Sequence, residues 1–141
     1  MDPTRSMIIG DYLKENNIKP SYLRIKVMEY LLKYKNHPSA DQIYKKLVVD
    51  IPTLSKTTIY NILNLFLEKK IVQPIVIEEN ETRYDADIRI HGHFKCEVCG
   101  TIYDLPIDIS TLKVEGLDKF QVNESHIYFK GICYKCLQKN K

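Results

Sequence analysis

From Met7 to Lys70 the apolar positions recur at helical spacing. Leu23, Val27, Tyr30 and Leu31 form one stripe, and Ile59, Ile62, Leu63 and Phe66 another. The pattern predicts helices over 7–16, 21–34, 39–48 and 55–69, separated by breakers at Pro20, Asn36 to Pro38 and Pro52. Ser39 and Gln42 make an S-x-x-Q capping box, and Ser55 is a suitable N-cap for the fourth helix. In each case a side-chain oxygen can accept a backbone N–H that lacks a helical partner.

After Lys70 the pattern changes to β-branched runs, Ile71 to Ile77 and then Thr82 to Ala86, divided by the polar stretch Glu78 to Glu81, and this reads as a hairpin and its turn. Helices followed by a hairpin predict a winged helix. Farther on, short strands are expected near 90–95, 101–105 and 120–130, with a helix near 108–115 starting at Asp108, and the stretch Gln138 to Lys141 is expected to fray. The expected class is α+β, with a winged-helix domain over 1–85 and a small α/β domain over 86–141.

Composition adds little to this picture, with 44% hydrophobic and 28% charged residues, as in ordinary globular proteins. No apolar run approaches the roughly 18 residues of a membrane span, and the first residues lack a signal peptide's apolar core, so a cytoplasmic protein with no membrane partner is expected. Charge is more informative once divided. Up to Gln73 there are 12 Lys and Arg against 7 Asp and Glu, and beyond it 9 against 11. A basic first half fits nucleic acid, although solvated Lys-rich helices explain it equally well.

All four cysteines fall in two CxxC pairs, Cys96 with Cys99 and Cys133 with Cys136, separated by 33 residues. Two residues between thiolates let both sulfurs turn toward one ion, and two such pairs complete the tetrahedral shell of structural zinc. Disulfides are disfavoured in a reducing cytosol, and redox chemistry needs only one pair. A half of about 60 residues is near the size at which a lone core becomes marginal, so zinc there holds structure.

Just ahead of the first pair lie Asp85, His91 and His93, and Asp104 follows Cys99 by five residues. In a strand His91 and His93 share a face, so both imidazoles can reach one ion. Nitrogen and carboxylate ligands suit Fe(II), Mn(II) or Zn(II). Each residue taken singly could equally be solvated, and His37 and His126 have no local partner that marks them as ligands.

The blocks His37 to Tyr44, Leu54 to Leu63 and His91 to Gly100, together with Arg24, resemble the ferric uptake regulator family, and the resemblance covers nearly the whole chain. It implies a homodimer that binds palindromic operator DNA as a repressor, with a regulatory metal bridging the two domains of each chain. The structural zinc ligands implied are Cys96, Cys99, Cys133 and Cys136. The regulatory Fe(II) or Mn(II) ligands implied are His37, Asp85, His91, His93 and Asp104. Within the family, Asp104 and Asn61 tilt the chain toward the peroxide-responsive branch, because iron sensors usually carry Glu and Arg there. In that branch His37 and His91 are the oxidation-sensitive positions. Iron-responsive repression of uptake is the alternative. The chain departs from the commoner His-His-Asp-His pattern in reading Ile90-His91-Gly92-His93, which puts a further metal site, and His126 with it, in doubt.

For DNA, Lys56 and Thr57 are expected to touch phosphates or bases, and Tyr60 and Asn61 to read bases, Asn being suited to adenine. Tyr60 could instead be a core aromatic. An enzymatic reading, a metallohydrolase or non-haem iron oxygenase, is not favoured, because five ligands leave little open coordination for a substrate. A zinc-ribbon interaction module is the other alternative. It leaves the polar run Ser55 to Thr58 and the hairpin unexplained.

Overall fold

The computed structural model describes residues 3–78, 80–89 and 91–139 and, within them, the side chains of all but residues 3–6, 91 and 109. The chain forms two compact units, residues 1–88 and 89–141. The division falls three residues beyond the expected end at Asp85. Ala86 and Asp87 stay with the first unit because the Asp87 N–H donates to Asp85 Oδ1 and the Asp87 carbonyl accepts from Gln73 Nε2.

The first unit contains α1 (Pro3–Glu15), α2 (Tyr22–Lys33), α3 (Ala40–Leu47) and α4 (Lys56–Glu68), then the strands β1 (Gln73–Ile75) and β2 (Arg83–Asp85). The helix starts follow their caps. Ser21, Ser39 and Ser55 each accept a hydrogen bond from a backbone N–H three residues on, and at α3 Gln42 returns a bond to the Ser39 N–H at 2.9 Å. Helix α4 ends with Lys70 at φ 60° and the Ile71 N–H on the Phe66 carbonyl, which turns Ile71 and Val72 into the core. That core is built from fully buried Leu13, Val27, Met28, Ile43, Ile59, Leu63 and Phe66. Burying such side chains stabilises by about 1.5–3 kcal/mol each before entropy is counted.

Strands β1 and β2 pair antiparallel, with Pro74 opposite Tyr84. The strand expected over Ile71 to Ile77 is shorter than its apolar run, and Pro74 has no N–H to extend the ladder. Within the expected turn, Glu79 lies outside the described residues. Helices α2 to α4 followed by this hairpin make a winged helix.

The second unit is a three-stranded sheet in the order β4-β3-β5, where β3 is His91–Cys96, β4 is Ile102–Pro106 and β5 is Tyr128–Gly131. Strand β4 runs antiparallel to β3 and β5 parallel to it. A short helix, α5 (Tyr134–Lys139), follows. Two expectations are corrected here. The helix expected near 108–115 is only a 3₁₀ turn at Ile109–Thr111, since Leu112 and Val114 are exposed and offer no packed face. The strand expected over 120–130 starts at Tyr128, where pairing with His93 begins, and Phe120 and Val122 upstream are exposed. Among the described residues no helix is long and apolar enough to cross a membrane.

Candidate metal centres

The buried cluster of the second unit is made of thiols. Cys96, Cys133 and Cys136 are buried, with Phe94 and Tyr103 packed against them. Cys96 ends β3, Cys99 follows a tight turn closed by Gly100 at φ 77°, and Cys133 and Cys136 flank the first turn of α5. The Sγ atoms of Cys96 and Cys136 are 3.8 Å apart, as are those of Cys99 and Cys133, and all four lie within 4.8 Å of one another. Tetrahedral zinc with Zn–S bonds of about 2.3 Å places its sulfurs about 3.8 Å apart. The residues present therefore fit the ion.

The electrostatics agree. Backbone N–H groups of Val98, Cys99 and Cys133 all donate to Cys96 Sγ at 3.4 Å. These amides, Cys99 foremost, lower the Cys96 thiol to about 6. A hydrogen bond from the Tyr103 hydroxyl lowers Cys133 and raises Tyr103 in turn. Burial, with hydrogen bonds to the neighbouring sulfurs, pushes Cys136 up to about 12. Holding all four as thiolates, Cys136 included, would take a cation, and a structural zinc would supply that charge.

Outside the thiols each unit carries an imidazole facing a carboxylate. In the first unit His37 Nε2 is 3.7 Å from Asp85 Oδ2. His37 precedes Pro38 and has φ 53°, a conformation that costs an L-residue roughly 1–2 kcal/mol. Strand β2 holds it there. The Tyr84 N–H donates to the Pro38 carbonyl and Arg83 Nη1 to the His37 carbonyl. Because side chains alternate along a strand, Arg83 and Asp85 share one face while Tyr84, 5% exposed, enters the core. The Asp87 N–H on Asp85 Oδ1, at 2.8 Å, leaves Oδ2 for His37.

In the second unit His93 on β3 is directly opposite Asp104 on β4, with Nε2 3.2 Å from Oδ1. His93 is buried, and Asp104 is exposed. His91 lies two residues earlier on the same strand, but its side chain is outside the described residues. His126 pairs locally, 3.4 Å from both Glu124 Oε2 and the Tyr128 hydroxyl.

On α4 the residues expected to meet DNA lie away from the core. Lys56, Thr57, Tyr60 and Asn61 are exposed, whereas Ile59, Ile62, Leu63 and Phe66 are buried. Tyr60 is 45% exposed, which removes it from the core. Lys56 Nζ reaches Asp41 Oδ1 on α3 at 3.6 Å and lies over the Tyr44 ring. Asn61 also lines a groove of about 380 Å³ with Ser21, Arg24 and Thr58.

The sequence did not point to Arg83, which reaches His37 and Gln42, 46 and 41 positions away, or to Tyr103, which bonds the distant Cys133. Nor did it point to α5, which is too short to show an apolar stripe.

A winged helix in one chain with a four-thiol centre and two imidazole–carboxylate pairs defines a metal-responsive regulator of transcription. Residues 15–130 match the ferric uptake regulator family, and the chain belongs to it. The chain is 31% identical over 131 residues to the peroxide-responsive repressor PerR of Staphylococcus aureus (strain Mu50 / ATCC 700699), covering 90% of this chain and 88% of that one. Its fold is similar to that of the Vibrio cholerae ferric uptake regulator, with TM-score 0.70 and 28% identity over 88% of this chain and 98% of that chain. It is also similar to the Campylobacter jejuni peroxide stress regulator, with TM-score 0.67 and 26% identity over 96% of this chain and all (100%) of the other.

Proposed function

We propose that this protein is a cytoplasmic repressor that binds palindromic operator DNA as a homodimer while its regulatory site holds Fe(II) or Mn(II), and that peroxide releases it by oxidising iron-ligating histidines. The ligands in this reading are His37, Asp85, His91, His93 and Asp104, with zinc on the four cysteines. The observation that carries it is the pair of buried imidazoles, His37 and His93, each facing a carboxylate. Hard oxygen and imidazole donors suit Fe(II) and Mn(II). The S. aureus relative is named a peroxide-responsive repressor, which supports the peroxide branch over iron-dependent uptake control.

In this reading Asn61 and Tyr60 read bases while Lys56 and Thr57 hold the backbone, since all four lie on the open face of α4. His37 is the ligand nearest in sequence to α3, whose cap begins two residues later. Fe(II) held by His37, Asp85, His91, His93 and Asp104 would supply the electrons needed to break the O–O bond of peroxide. Net, one peroxide oxygen is inserted into a ligand imidazole and the other leaves as water. Oxidised His37 or His91 donates poorly, and the winged-helix unit loses its metal tether.

The test measures affinity for a palindromic promoter with Fe(II), Mn(II) or Zn(II), before and after brief peroxide, together with peptide mass spectrometry. The iron form should lose DNA affinity and gain one oxygen on His37 or His91, and the manganese form should do neither. Intact histidines, or loss of binding through cysteine oxidation alone, overturn the peroxide reading in favour of iron-level sensing.

A further inference from the structure

Arg83 makes more connections than its place on a short hairpin strand requires. Its Nη1 donates to the His37 carbonyl at 3.1 Å and to Gln42 Oε1 at 3.2 Å. Its Nε is bonded to Glu78 Oε1, and its Nη2 lies 3.8 Å from Glu81 Oε2. The Arg83 and Glu78 side chains are each only 18% exposed, so this is not a solvated surface pair. The partners come from three places: the His37 loop, the first turn of α3, and the polar stretch between β1 and β2.

We propose that Arg83 is a positioning residue for the regulatory metal: it locks the His37 loop, the capped start of α3 and the β1–β2 hairpin into one piece, so that metal seating and hairpin geometry report on each other. This rests on the reading of His37 as a ligand.

A guanidinium presents five N–H donors in a fixed planar fork, so it can hold three partners at set angles where an ammonium holds a point charge. The His37 carbonyl is one of those partners, and His37 sits in the left-handed backbone region, a conformation that persists only when its surroundings fix it. Gln42 Oε1 is shared. It accepts the Ser39 N–H at 2.9 Å as part of the capping box and Arg83 Nη1 as well. Helix α3 in turn contacts α4 through Asp41 and Tyr44, both on Lys56. A continuous set of bonds thus runs from the ligand loop to the helix proposed to read DNA. Coupling of this kind is reciprocal, since whatever metal does to the hairpin the hairpin does to metal affinity.

The experiment uses the full-length, zinc-loaded protein and Mn(II) as the probe. Arg83→Met should lower Mn(II) affinity about 10- to 100-fold, as losses of groups that orient metal ligands do. Zinc content and circular dichroism should be unchanged, and Arg83→Lys should not rescue. Glu78→Ala, seven residues from the nearest proposed ligand in sequence, should lower affinity about 2- to 30-fold, the range for residues within a coupling network. Hydrogen exchange separates positioning from plain stability. Mn(II) should slow exchange at residues 73–78 and 83–87 in the wild type and not in Arg83→Met, whereas a merely structural role would leave the metal-induced change intact. If His37→Ala binds Mn(II) normally, the ligand reading itself fails. If His37→Ala loses Mn(II) while Glu78→Ala and Arg83→Met keep it, the ligand reading stands and this proposal is overturned. Should Arg83→Met fail to fold, Glu78→Ala alone decides.

Discussion

A Cβ placed on Gly92 would stand 2.7 Å from Ile107 Cδ1 and 3.4 Å from the Ile127 carbonyl oxygen. Ile107 can turn its methyl aside, but the backbone oxygen cannot move without disturbing the sheet, since Ile127 O accepts the His93 N–H. Gly92→Asp would bury a carboxylate against apolar carbon and a carbonyl. It should cost at least about 2 kcal/mol, the scale of an unpaired buried polar group or larger. Denaturant unfolding of the zinc-loaded protein reads this cost, and Ile107→Ala in the same chain should restore part of it. An unchanged midpoint for Gly92→Asp would show that the strand tolerates a side chain there.

The thiol cluster predicts a metal-dependent fold for residues 89–141. Purified protein should retain about one zinc per chain, as closed tetrathiolate sites do. Cys96→Ser or Cys133→Ser should lose the zinc, and strands β3 to β5 should unfold with it, because Cys96, Cys133 and Cys136 are the buried cluster of this unit. Zinc analysis with hydrogen exchange over 91–106 checks this. A metal-free variant with that sheet still protected would sink the prediction.

Ser39 and Ser21 both cap helices, but only Ser39 belongs to a reciprocal box and is buried at 2% exposure. Ser39→Ala should destabilise by about 1–2 kcal/mol and Ser21→Ala by about half that, toward the low end of cap losses. Equal shifts in unfolding midpoint would mean that burial of the Ser39 hydroxyl, which accepts the Gln42 N–H, adds nothing to its cap.

Asn61 is exposed on α4 beside buried Ile62. Asn61→Ala should weaken binding to the specific operator by about 1–3 kcal/mol and leave binding to random duplex nearly unchanged. Parallel titrations on the two DNAs check it. Equal losses on both would make Asn61 a backbone contact, not a base reader.

The parts of the fold that could be read beforehand rest on local chemistry. Ser39 with Gln42, and Ser55, mark the starts of α3 and α4 because a cap is decided within one helical turn. The apolar stripe from Ile59 to Phe66 points inward as its spacing requires. The two CxxC pairs announce their cluster because each brings two sulfurs to one turn and the two pairs together complete a tetrahedral shell. What could not be read depends on distant partners. Ile109 and Leu112 stand three apart, as on one helix face, but Leu112 and Val114 are exposed with no surface to cover, so only a 3₁₀ turn forms at Ile109–Thr111. The start of β5 is decided by pairing with β3, which no feature of residues 120–127 encodes. Arg83 finds the His37 carbonyl 46 positions away, a contact that no local pattern shows.

The parallel pairing of β5 with β3 sets a timetable for folding. The Cys133 N–H meets Cys96 Sγ across 37 positions, and closing a loop of that length carries an entropy cost before any contact returns it. The first unit is mostly helical, with each turn resting on residues four positions away, and such topologies form quickly. The two halves therefore keep different clocks. The helical half can complete itself as soon as its own residues are available, while the other waits for two separated thiol pairs and an ion to meet. With zinc as its ligand, that half should fold no sooner than the ion arrives, whatever the pace of hydrophobic collapse.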